Sequence, residues 1–322
     1  FEGYVFAKAV DKAGNAMKNE VRTNTITLIE NIEPTVDIYI NDSNKAYDGW
    51  FTTTPKVEIK VSDIESGINK IEYVVKKEDN ILLEYSINLA TTMESNYDLL
   101  VNMPEDLGEL LVKVTVTDNA GNETIKEATI KIDNKKPLVP TVNTAYDGSW
   151  TKDGIVYNIS MPALYEQEYP SGISAYEYRV FRKTEEKPDG DWTDWISVEP
   201  SDSTEIVISS DEYQGSGKVK FRAVSGAGLI SEESEEFSFK RDSKVINKAR
   251  VTFDETVPKS NDWYKATKID AKIAIEKEED RAKNGFRYRV NQGAWSSYVY
   301  TDGEEAFVDL TITGEGKHLL EI

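Results

Sequence analysis

Apolar residues occupy every second position through most of this chain, and the runs are short. Val57/Ile59/Val61, Ile71/Tyr73/Val75, Val112/Val114/Val116 and Ala128/Ile130/Ile132 form one series. Tyr176/Tyr178/Val180, Ile206/Ile208, Val219/Phe221/Ala223 and Phe237/Phe239 form a second, and Phe286/Tyr288/Val290 with Val308/Leu310/Ile312 begin a third. Alternation with period two, broken by glycine-containing turns, predicts strands with one buried face. About seven strands per roughly 100 residues, with almost no helical period, predict an all-β chain of small antiparallel sandwiches.

The series are copies of one another. Asp11-Lys12-Ala13-Gly14-Asn15 recurs as Asp118-Asn119-Ala120-Gly121-Asn122 and again as Ser225-Gly226-Ala227-Gly228-Leu229, with glycines 107 and 107 residues apart. Tyr47-Asp48-Gly49-Trp50 recurs as Tyr146-Asp147-Gly148-Ser149-Trp150, and loosely as Asn261-Asp262-Trp263. Ser66-Gly67-Ile68 recurs as Ser171-Gly172-Ile173. This phase predicts the last hairpin of a preceding repeat in 1–33, whole sandwiches in 34–136 and 137–243, and a sandwich truncated at its C-terminus in 244–322. Beginning at Phe1 and ending out of phase, the chain reads as an excerpt of a longer one. The repeated pentapeptide is a turn or a ligand site. All three copies retain only Ala-Gly, which favours the turn: Gly14, Gly121 and Gly228 accept the positive φ of a tight hairpin. Asp or Asn at the first position can bond the turn's own backbone.

An odd number of antiparallel strands sets the two ends of a sandwich at opposite poles. The joints Glu33-Pro34 and Lys136-Pro137-Leu138-Val139-Pro140 are short and stiffened by proline. The expected shape is an elongated, semi-rigid rod.

The order Trp, alternating strand, D-x-x-S-G-I, Y-x-Y-R-V, W-x-x-Y and D-x-A-G-N resembles the bacterial Ig-like tandem repeats of large secreted and cell-surface proteins. VSDIESGINKIEYVV, YEYRV, DWTDWI, YRVNQGAWSSYV and VTDNAGN carry the resemblance. It covers nearly the whole chain and implies Ig-like or fibronectin-III-like sandwiches located outside the cell, at its surface or in its wall. Two departures stand out. There is no Cys…Trp…Cys pattern, and the third D-x-A-G-N has become Ser225-Gly226-Ala227-Gly228-Leu229.

Charge narrows the partners. The net charge is −20, and residues 34–243 carry most of it, with 39 acidic against 21 basic side chains. Nucleic acid and anionic membrane surfaces are therefore not expected as partners. No apolar run approaches the roughly 20 residues of a membrane span. The absence of cysteine excludes disulfides and thiolate metal sites.

With strands lettered A to G, the B–C, D–E and F–G turns meet at the pole beside the incoming linker. That gathers Asp63 and Glu65 near Asp118 and Glu30 or Glu33. It sets Glu166 and Glu168 near Asp133, and Glu278, Glu279 and Asp280 near Asp242. Such clusters are either a solvated acidic rim or a structural Ca²⁺ site at the junction between repeats. No cofactor is otherwise required. Asp42, Asn44 and Asp48 lack the remaining ligands of an EF-hand loop.

Trp50, Trp150 and Trp263 share one repeat position and are expected to pack as core lids or linker contacts. Trp192 and Trp195, three apart, should face opposite sides of a straight strand. Trp195 and its counterpart Tyr298 are the candidate contacts for a cell-surface glycan or a host or matrix protein. His318, the single histidine, is expected on a sheet face. No nucleophile motif, phosphate loop or zinc pattern is present, so no catalytic residue is assigned and the chain is read as a non-enzyme. The function expected is a structural or adhesive stalk that spaces or presents other domains, as a monomeric segment or within a longer surface assembly. The alternatives are a carbohydrate-binding or accessory region of a secreted polysaccharide-degrading enzyme, and a fibre or appendage subunit.

Overall fold

The computed structural model describes residues 4–23, 30–40, 47–92, 94–162, 170–184, 186–201, 203–246, 249–276, 281–301 and 305–322. The chain divides into two compact units. One is Phe1–Leu138 with Pro162–Ser174 and Ala223–Ser231; the other is Val139–Met161 with Ala175–Arg222 and Glu232–Ile322. The described residues contain no α-helix. The fold is all-β, built of tandem antiparallel sandwich modules of the Ig-like, fibronectin-III-like kind.

The first unit opens with a short hairpin, β1 (Phe6–Ala7) against β2 (Val21–Arg22). Then come β3 (Thr35–Ile40), β4 (Trp50–Phe51), β5 (Val57–Ser62), β6 (Ile68–Lys77), β7 (Asn80–Asn88), β8 (Asn96–Val101), β9 (Gly108–Asp118) and β10 (Glu123–Ile132). One sheet has the order β3-β5-β8 and the other β4-β10-β9-β6-β7. The alternation read in the sequence drives this layout. Val57, Ile59 and Val61 from one sheet meet Ile71, Tyr73, Val75, Val112, Val114, Val116, Ile130 and Ile132 from the other in a single buried cluster. Each such side chain, fully buried, is worth about 1.5–3 kcal/mol of apolar transfer. The two-residue β4 runs parallel to β10, through Trp50 beside Lys131 and Phe51 beside Ile132, and closes the module's open side.

In the second unit, β11 (Thr141–Asn143), β12 (Ile155–Ser160) and β16 (Thr204–Ile208) form one sheet. The other contains β13 (Ile173–Arg182), β14 (Asp191–Trp192), β15 (Ile196–Val198), β17 (Gly215–Ser225) and β18 (Phe237–Arg241); β14 and β15 both pair with β13. Tyr157 of β12 fastens the layers, its ring 5.2 Å from Phe221 and 5.9 Å from Phe237. A parallel bridge from Thr151 to Arg241 repeats the arrangement of β4 on β10.

The last stretch holds a sheet of β19 (Arg250–Phe253), β22 (Lys268–Glu276) and β26 (Glu305–Thr313), plus the hairpin β20 (Lys259–Ser260) with β21 (Trp263–Tyr264). Two further pairs are β23 (Gly285–Phe286) with β25 (Val299–Tyr300) and β24 (Arg289–Val290) with β27 (Leu320–Glu321). Its buried cluster is small: Ile273, Ile275, Phe286 and Ala306. Among the described residues the first module therefore buries more apolar side chains than the last.

Candidate functional site

The pentapeptide turn has one geometry in all three copies. The N–H of Asp118 donates to the carbonyl of Asn122 at 3.0 Å, and the N–H of Gly121 returns to the carbonyl of Asp118 at 3.3 Å. Oδ1 of Asp118 accepts the Asn122 N–H at 2.8 Å, and its Oδ2 accepts Asn122 Nδ2 at 2.7 Å. Asp11 and Asn15 repeat this pattern, with corresponding distances of 2.8 and 2.8 Å. In the third copy the Ser225 hydroxyl accepts the Leu229 N–H at 3.1 Å. The glycines lie at φ 90°, 94° and 79°, a region costly for residues with a Cβ. Glycine fixes the turn, and a single side-chain acceptor at its first position completes it.

The loops this turn meets are brought together by backbone bonds. Asp63 N–H donates to Ser95 O, Ile68 N–H to Glu94 O and Asn119 N–H to Gly67 O. The B–C, D–E and F–G loops therefore converge as the strand lettering requires. At their meeting point Asp63, Asp118 and Glu30 each present a carboxylate oxygen within 4.8 Å of the others. Asp63 and Asp118 are buried. Glu65 and Glu33 point to solvent outside this group.

Asn122 is the common donor. Its Nδ2 reaches Glu30 Oε2 at 3.0 Å and the Ile32 carbonyl at 3.3 Å as well as Asp118. Asp63 Oδ1 accepts the N–H groups of Ser66 and Gly67 at 2.9 and 2.6 Å. Burial pushes the Asp118 carboxyl up, but the Asn122 side chain and the N–H groups of Asn122 and Gly121 hold it below its ordinary value. It is ionised at neutral pH, beside two further carboxylates. Oxygen-only ligands with this charge suit a hard divalent cation.

The following junctions solve the same problem differently. Asp133 is fully buried; its Oδ2 accepts both the N–H and the hydroxyl of Ser171, and its Oδ1 accepts the Lys135 N–H. The neighbouring turn offers the Ser225 hydroxyl, so no carboxylate from that turn joins Asp133. Gly226 lies so close to Ser171 that an added Cβ would fall 2.1 Å from its carbonyl oxygen. Asp242 forms a buried ion pair with Arg281 and accepts the Ala282 N–H at 3.2 Å. Burial raises the Asp242 carboxyl, and the Arg281 contact together with backbone hydrogen bonds from Ala282 and Lys244 more than reverses this, leaving it lowered. Glu166, Glu168, Glu278, Glu279 and Asp280, expected at these junctions, lie outside the described residues, as do Asp42 and Asn44.

The aromatic residues depart from expectation in two places. Trp192 and Trp195 do not face opposite sides. The strand breaks at Thr193, whose N–H donates to Val180 O, and both indoles lie 4.8 Å from the Arg179 guanidinium. Arg222 sits 4.0 Å from Trp195, Lys220 5.4 Å from Trp192, and Glu177 and Glu233 pair with the cations. A shorter version surrounds Trp295, with Arg287 and Arg289 each 4.6 Å away. Among the shared-position tryptophans only Trp50 is a buried lid; Trp150 is half-buried and Trp263 is 56% exposed. Tyr298 is 54% exposed and stacks on Tyr300, centroids 5.8 Å apart. His318 lines an open cleft of about 920 Å³ with Trp263, Tyr264 and Ile312, its ring held by Asn291 at 2.9 Å and the Gly314 carbonyl at 3.2 Å.

No family model matches the chain, and no curated protein does. Among solved structures, one described as a tetra-tandem repeat in the extending region of a large adhesion protein is 14% identical, with TM-score 0.36, covering 96% of this chain and 72% of that one. A Ca²⁺-stabilised adhesin that helps an Antarctic bacterium bind ice is 12% identical, with TM-score 0.29, covering 96% and 73%. Fibronectin(III)-like modules of CbhA from Clostridium thermocellum are 12% identical, with TM-score 0.27, covering 64% and 95%.

Proposed function

We propose that this chain is a non-catalytic structural segment of an extracellular bacterial surface protein, a stalk that spaces or presents other domains. Its modules would be 34–136 and 137–243, flanked by parts of two more in 1–33 and 244–322. The observation that carries this reading is the treatment of the linker acid. Glu30, Asp133 and Asp242 each follow a final strand or linker and are each bound by loops of the module that comes next. Fastened joints are what a load-bearing spacer needs, and they place buried chemistry at the joints rather than in a cleft.

The first joint is the one suited to calcium. Glu30, Asp63 and Asp118 would hold the ion, supplying part of its six to eight oxygens. Bound there, Ca²⁺ would offset two of the three carboxylate charges and stiffen the linker.

Single-molecule stretching of the chain between two reporter domains tests the stalk. Two large unfolding steps of about 300 Å each are expected from modules of roughly 100 residues. The force of one should drop when EDTA replaces millimolar calcium. A single step, or gradual extension without steps, would rule the stalk out, and forces indifferent to EDTA would remove calcium from it.

A second reading rests on the exposed Tyr298–Tyr300 stack, which offers a sugar or protein partner an open aromatic face. Trp195, lying between Arg179 and Arg222, offers less. Micromolar binding to one glycan class on an array, lost in Tyr298→Ala, would favour an accessory carbohydrate-binding role.

A further inference from the structure

Strand β7 ends its sheet, and among the described residues nothing pairs with its outer side. Its sequence, Asn80-Ile81-Leu82-Leu83-Glu84-Tyr85-Ser86-Ile87-Asn88, carries one charge in nine residues. Ile81 is 55% and Tyr85 37% exposed. Natural sheets blunt such edges with breaks, short strands and charge. The next module does so at the matching place, where β14 and β15 are two and three residues long and follow Pro188-Asp189-Gly190. From Leu83 to Asn88 the β7 edge has no such protection among the described residues, the one register shift against β6 lying at Leu82.

The phase of this edge is readable. Leu89 N–H donates to Asn69 O, in register with Ile71 opposite Ile87, Tyr73 opposite Tyr85 and Val75 opposite Leu83. Bonded positions alternate in an antiparallel ladder. Odd-numbered residues from 83 to 89 therefore aim their N–H and C=O at β6, while Glu84 and Ser86 aim theirs outward.

We propose that this edge is a self-association site, where β7 pairs antiparallel with β7 of a second copy about a two-fold axis at Tyr85. That register sets Glu84 opposite Ser86, Leu83 opposite Ile87 and Tyr85 opposite itself. An axis at Glu84 would oppose two like charges; one at Ser86 would shorten the overlap. Tyr85 already stacks on Tyr73 at 5.1 Å, so the pairing extends that row to four rings and joins two five-stranded sheets into one. For a surface stalk, the consequence is lateral association of neighbouring molecules, which holds whether or not the stalk binds calcium.

Sedimentation velocity of the full chain across a concentration series is the test. The wild type should dimerise as concentration rises. Ser86→Pro should melt like the wild type, because proline is tolerated at an outward edge position, yet remain monomeric. Ser86→Glu should weaken the dimer about tenfold, since the like-charge pair occurs twice, and Ser86→Lys should strengthen it. The chain has no cysteine, so a single introduced thiol reports register: Tyr85→Cys should cross-link on oxidation much faster than Ser86→Cys. A wild type that stays monomeric throughout, or a dimer that survives Ser86→Pro, overturns the proposal. Faster cross-linking by Ser86→Cys overturns the register.

Discussion

Asn122 closes the first junction, bonding the turn acid Asp118, the linker acid Glu30 and the linker carbonyl of Ile32 through one amide. The turn itself asks less of Asp118, since Ser225 makes the equivalent bond in the third copy. Asp118→Ser should therefore fold, with a cost near 1 kcal/mol in EDTA by chemical denaturation, and should lose any calcium-induced rise in Tm. Gly121→Val, forced to φ 94°, should cost about 1–2 kcal/mol with or without the ion. A different residue decides the third junction. Arg281 holds the Asp242 carboxyl below its ordinary value. The stability this supplies is full above about pH 4, the unfolded carboxylate range, and is lost as pH falls through the lowered folded value. Arg281→Met strands a buried carboxylate and should cost about 3 kcal/mol at pH 7. Its folded pKa then lies above the unfolded one, so acidification from pH 7 to 5 should stabilise the variant in a urea titration.

At the scale of elements, alternation located the strands. Val57–Ser62, Gly108–Asp118 and Gly215–Ser225 run where every second residue is apolar, because each presents one face to the opposing sheet. The convergence of Glu30, Asp63 and Asp118 was also legible, since it follows from strand order and needs no knowledge of side-chain geometry. The Trp192–Trp195 segment was not legible. Spacing of three implies opposite faces only on an unbroken strand, and Thr193 interrupts this one. Gly190 contributes to the irregular approach: a Cβ there would fall 2.4 Å from the Phe181 ring. Nor does sequence show that Arg281 turns inward to meet Asp242. The resulting ladder of Lys220, Trp192, Arg179, Trp195 and Arg222 ties strands β13, β14 and β17 together. Each cation over an indole is worth about 0.5–1 kcal/mol at a half-exposed site. Arg179→Ala touches both tryptophans and the Glu233 pair, and should cost about 1–2 kcal/mol; Lys at this position should recover only part of it. Near-ultraviolet circular dichroism should report looser indoles in both variants.

For the whole molecule, the proposed stalk rests on repetition of one sandwich with an odd strand count. Among the described residues, seven strands of six or more residues lie between Thr35 and Ile132, from β3 to β10 with the two-residue β4 set aside. The first and last of them lie in different sheets. Modules of this kind, joined by short proline-containing linkers, should lead the chain onward instead of folding it back. Small-angle X-ray scattering from the dilute monomer, carried in the Ser86→Pro variant to suppress association, measures this directly. An eleven-residue strand spans about 36 Å, so modules in file should give a radius of gyration above about 30 Å with a strongly skewed distance distribution. A radius near the roughly 20 Å of a compact globule of this length, with a symmetric distribution, would contradict the account.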